Sequence, residues 1–223
     1  MKFFALILAI SLALTLRAAE PWQEVLAKCP VPTNSFRAYQ TAPVSLILNS
    51  FKPQGDVRGV VLMPGAADQI YFFDWGRSIL RRPVSVLDVL NVLTNRPQLT
   101  VTFVKPFVLI CHKPDVTSDP LNAAPDSNLE ALEKIKIPGR SYYLDRPYDR
   151  VLPDVEKLLG RKLIPTQSDT KSWHYYRLSF VGYDLTGSEF LRAMAYGMKT
   201  VVEVQKDQIV FKDRRSQPQS SAR

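Results

Sequence analysis

Residues able to do acid–base, nucleophilic or metal chemistry are few in this sequence, and they do not gather. His112 and His174 are its only histidines. A structural or catalytic metal needs three or four converging ligands. His112 adjoins Cys111 in a strand-like pattern, and neighbours on a strand point to opposite faces. His174 lies among aromatics in "WHYYR". The chain holds no G-x-S-x-G, Walker loop, H-E-x-x-H or C-x-x-C, the spacings that nucleophile, phosphate, zinc and dithiol chemistry need. Its carboxylates are scattered, so no acid–base pair stands out. The expectation is a chain with no catalytic residue, no cofactor and no metal.

What the sequence does concentrate is contact chemistry. In "RSYYLDRPYDR" the candidates are Arg140, Tyr142, Tyr143, Arg146, Tyr148 and Arg150. Arg and Tyr cover apolar area while keeping a polar end, which suits protein interfaces. Asp145 and Asp149 interrupt the cations and oppose phosphate, which argues against nucleic acid. The bland reading is a linker packed across its own domain through Arg–Asp pairs. Two aromatic stretches, "QIYFFDW" (69–75) and "SWHYYRLSF" (172–180), read as strand-face packing.

The elements that must position these residues begin after a leader. Lys2 precedes an apolar run from Phe3 to Leu16, followed by Ala18 and Ala19. Fourteen residues are too few for a comfortable span, and the order is that of a secretory signal peptide over 1–19. Its removal takes two positive charges and leaves the net charge at +6 rather than +8. The expected location is the periplasm or cell envelope, with no membrane span once the leader is gone. Residues 20–42 form an N-terminal segment, 114–128 a Pro/Asp/Asn-rich linker, and 214–223 a polar tail.

Two stretches repeat at an offset of 101. "VSVLDVLNVLTNRPQLTVTFVKPFVLI" (84–110) matches "LTGSEFLRAMAYGMKTVVEVQKDQIVF" (185–211). Ser85 with Asp88, and Thr186 with Glu189, each form a capping box. Leu90 and Leu191 then fall on the apolar helix face, and a strand hairpin follows. Extended back to Gly59 and Gly160, the ungapped match holds eight identities in 52 positions. Upstream, "PVSLILNSF" and "LPDVEKLLG" read as equivalent helices, the former separated from Gly59 by a longer loop. The expectation is α+β: two tandem small domains, 43–113 and 129–213, each with two helices packed on small sheets.

"GYDLTGSEFLRAMAYGMKTVVEVQKDQIVF" (182–211) resembles the secretin and TonB short N-terminal domain. The first copy follows the likeness less closely, since Arg81 and Pro83 replace the glycine and polar pair. The resemblance implies a periplasmic interaction module with no catalytic residues of its own. It implies a protein partner in the envelope, as in a secretion, pilus or transport assembly. A groove between the repeats for a small molecule or glycan is the second expectation, and an enzyme of unknown class the third. The repeat also bears on Cys29 and Cys111, the only two cysteines. Cys111 matches Lys212, an outward position, so a Cys29–Cys111 disulfide is expected to cover it in an oxidising compartment.

Overall fold

The structure, a computed structural model, describes residues 21–32, 43–64, 66, 84–95, 98–113, 118–121, 126–165 and 177–213. The leader, the tail, His174 and most of both aromatic stretches lie outside these. Six helices are described: α1 Pro21–Ala27, α2 Pro43–Ser50, α3 Val86–Thr94, α4 Asp126–Lys134, α5 Tyr148–Leu159 and α6 Gly187–Met198. None of these helices is long and apolar enough to cross a membrane. Ten strands accompany them: β1 Pro30–Val31, β2 Gly59–Leu62, β3 Val84–Ser85, β4 Leu99–Val104, β5 Phe107–His112, β6 Lys136–Pro147, β7 Lys162–Ile164, β8 Arg177–Thr186, β9 Thr200–Val204 and β10 Gln208–Asp213. The fold is α+β.

Both capping boxes form. Ser85 and Asp88 exchange bonds at the start of α3, as do Thr186 and Glu189 at the start of α6. Leu90 and Leu191 are both buried. The hairpins repeat in register: Phe103 faces Val108 on β4–β5, and Val204 faces Ile209 on β9–β10, each partner displaced by 101. In each repeat a strand then runs parallel beside the hairpin, β2 on β5 and β7 on β10.

The ungapped match fails at that parallel strand. Gly59 pairs with Phe107, but Lys162, not Gly160, pairs with Gln208. Gly160 is spent as the left-handed C-cap of α5, at φ 63°, where glycine escapes the Cβ penalty. The strand therefore starts two residues later. An even shift keeps the same side chains inward.

The repeat also begins earlier than Pro43. Cys29 N–H donates to Leu26 O and Val86 N–H to Cys29 O; Ile135 N–H donates to Leu132 O and Gly187 N–H to Ile135 O. Pro30 pairs with Ser85, and Lys136 with Thr186. The N-terminal segment thus supplies α1 and β1, which stand where α4 and β6 stand in the second repeat, at an offset of 106.

The repeats share one sheet. Its order is β4-β5-β2-β8-β6, and β2 of the first repeat pairs with β8 of the second. Val60, Leu62, Val108 and Ile110 pack with α1–α3 on one face. Val61, Phe107, Leu109 and Cys111 pack on the other with α4–α6, beyond which lies the three-stranded sheet β7-β10-β9. The part of the 114–128 linker that is described is tied down: Leu121 is buried, and Asp119 accepts two bonds from Arg192 at 3.1–3.2 Å.

Candidate binding groove

The Arg/Tyr segment lies on edge strand β6 and the first turn of α5, and it does not present one surface. Arg140 Nη2 donates to Leu48 O and Asn49 Oδ1, both at 3.1 Å, closing the end of α2. Its guanidinium also lies 4.4 Å from the centroid of the Tyr142 ring. Tyr142 packs toward α1–α3, whereas Tyr143 packs toward α4–α6, stacked 5.0 Å from Phe180. The pleat sends neighbours to opposite faces. Tyr148 is fully buried, with its hydroxyl 3.5 Å from Met194 O, and burial pushes its phenol well above the ordinary range. Arg146 and Arg150 are exposed. Asp145 of the same segment pairs with Arg177 at 2.7 Å.

The expected disulfide does not form. Both cysteines are buried outside any disulfide, in cores on opposite faces of the shared sheet. Cys111 does face outward from its own repeat, but the second repeat covers that face. Its Sγ lies 3.7 Å from Thr100 O. Cys29 Sγ is held between Val25 O at 3.3 Å and the Lys52 backbone, whose N–H donates to it at 3.3 Å. Burial raises the Cys29 thiol, and the Lys52 N–H offsets part of that. His112 ends β5, and no group of three metal-ligating side chains forms among the described residues.

A concave site appears elsewhere, within the first repeat. A groove of about 460 Å³ is lined by Trp22 and Val25 of α1, Gln54 to Val57, and Phe103 of β4, with Glu24 and Lys28 at its rim. That volume falls in the usual range for ligand sites. One wall is the turn between α2 and β2. Gln54 and Val57 exchange backbone bonds of 3.1 Å, Gly55 takes φ 59°, and Asp56 pairs with Lys105 at 2.9 Å. Arg58 N–H reaches Pro106 O at 2.9 Å, anchoring the turn to the β4–β5 hairpin. The opposite wall, α1, keeps Trp22 and Val25 packed inward at 7% and 8% exposure.

The second repeat shows the same place closed. Asn128 stands at the position of Trp22 by the 106 offset, and Val204 at that of Phe103 by the 101 offset. Asn128 Nδ2 donates directly to Val204 O at 2.9 Å, and Arg161 Nη1 to Gln205 O at 3.0 Å. The wall-forming turn is missing, because only Gly160 and Arg161 separate α5 from β7. The sequence carried one signal of this, the longer loop before Gly59. Trp22 carried no such signal, because α1 lies outside the repeat read from the sequence.

Comparison of the chain with protein-family models, with curated proteins and with solved structures finds no match in any of the three.

Proposed function

We propose that this chain is a non-catalytic binding module of the cell envelope, and that its first repeat engages a partner protein through the groove beside Trp22 and Phe103. The observation that carries the reading is internal. One architecture occurs twice, and only one copy replaces a closing Asn128–Val204 bond with two aromatics and adds a turn as a wall. The leader-like N-terminus supports export, and the likeness to the secretin and TonB short N-terminal domain supports an interaction role. Apolar lining with a polar rim suits the anchor side chain of a protein partner. A glycan reading needs an exposed aromatic face to stack on, and Trp22 is packed inward at 7% exposure.

The test is a random peptide library and a glycan array, each screened against the purified protein and its Glu24→Trp variant, whose indole fills the groove from the exposed side of α1. Peptides bearing a large apolar residue should be enriched on the parent and lost on the variant. Glycan binding alone, or peptide enrichment that survives Glu24→Trp, would sink the proposal.

A further inference from the structure

The groove borders an open sheet edge, and the second repeat shows what belongs there. In an antiparallel pair, alternate residues of an edge strand turn both N–H and C=O away from their partner. On β9 these are Val202 and Val204. Val202 N–H donates to Pro120 O at 2.8 Å, and Val204 O accepts from Asn128 Nδ2 at 2.9 Å. Pro120 and, from α4, Asn128 therefore cover that edge. The β4–β5 hairpin has the identical register displaced by 101, so Val101 and Phe103 turn the same groups outward from β4, the terminal strand of the shared sheet. Among the described residues nothing bonds Val101 N–H or Phe103 C=O. Phe103 is also a wall of the groove.

We infer that β4 is a strand-addition site: an extended segment of a partner polypeptide pairs along Val101–Phe103 and drops an apolar side chain into the groove. The occupant takes the place that Pro120 holds in the second repeat, while Asn128's place is already filled by Trp22. It supplies a carbonyl to Val101 N–H and a donor to Phe103 C=O. Backbone pairing gives affinity and the groove gives selectivity for the anchor, the usual division in strand addition. Two other edges, β9 and β6, are less suited. β9 is already covered, and β6 is broken by two register shifts and left-handed turns at Gly139 and Asp145, devices that guard an edge against pairing.

This inference rests on the groove reading, and its test separates the two. The probe is the peptide selected from the library, N-methylated at one residue at a time. Methylation at alternate residues should weaken binding tenfold or more, and methylation of the intervening residues should not. Val101→Pro removes an outward N–H without touching the β4–β5 ladder, as an edge strand tolerates; it should also cost at least tenfold. Amide exchange on the parent protein, which needs no substitution, gives a second measure. Val101 N–H should exchange quickly in the free protein, unlike Val202 N–H, and become protected when the peptide binds. Binding that ignores both N-methylation and Val101→Pro, yet is lost in Glu24→Trp, keeps the groove and overturns strand addition. A dimer of the free protein that dissolves in Val101→Pro would overturn it too, since the edge would then serve a second copy.

Discussion

Burial of Cys29 and Tyr148 sets how the protein should respond to alkali. Each folded-state pKa is raised by loss of solvent around the charged form. The unfolded chain therefore releases these protons first, and deprotonation favours unfolding. The stability they contribute is full below the unfolded values, about 8.5 for a thiol and about 10 for a phenol. It drains as pH climbs past each in turn. Urea midpoints should thus fall between pH 8.5 and 10, and fall more steeply above 10. In Cys29→Ala the first decline should vanish while the second persists; an unchanged first decline would show that Cys29 is not its source. Cys111 marks the limit of residue-scale reading. Its outward position at the offset of Lys212 was legible, because strand alternation is local. That a second repeat covers this face was not, because no property of residues 107–111 reports what packs beyond their own hairpin.

Elements were legible where their signals are short-range. Ser85/Asp88 and Thr186/Glu189 announce two helix starts within three residues, and both boxes form as read. Alternation in "TVVEV" and closure at Lys206–Asp207 gave the hairpin its register. The two-residue slip of β7 was hidden, because it follows from Gly160 serving as a cap rather than from any strand pattern. β1 has only two residues and α1 seven, too short for periodicity to rise above its surroundings. The two boxes should differ in worth. Ser85 and Asp88 cap a helix with one solvated face, whereas Glu189 also pairs with Arg58 of the first repeat, and Thr186 is buried beside Ser188. Ser85→Ala should cost about 0.5–1 kcal/mol and Thr186→Ala about 1–2 kcal/mol, read from urea midpoints at pH 7. Equal costs would mean that the second cap does not join the contacts between the repeats.

At the scale of the whole molecule, the repeats stack rather than stand apart. The first repeat's sheet is packed on both faces, by α1–α3 and by α4–α6. The second repeat's sheet is packed on one face and half-buried on the other, where Ile164, Val201 and Val210 lie beside a Lys212–Glu203 pair, and Gln205 donates to Glu203 at 2.9 Å. Equivalent residues therefore have unequal weight. Leu109 on β5 is fully buried against α4–α6, and Val210, its counterpart at an offset of 101, lies half-buried on the open face. Leu109→Ala should destabilise by about 2–5 kcal/mol, and Val210→Ala by roughly 0.5 kcal/mol or less, as surface changes do. Leu109 belongs by sequence to the first repeat but holds up the second, so its loss should lower one common transition. Calorimetry should show van't Hoff and calorimetric enthalpies in agreement for parent and variant alike. Two separate transitions, with Leu109→Ala moving only one of them, would mean that the shared sheet does not couple the repeats into a single folding unit.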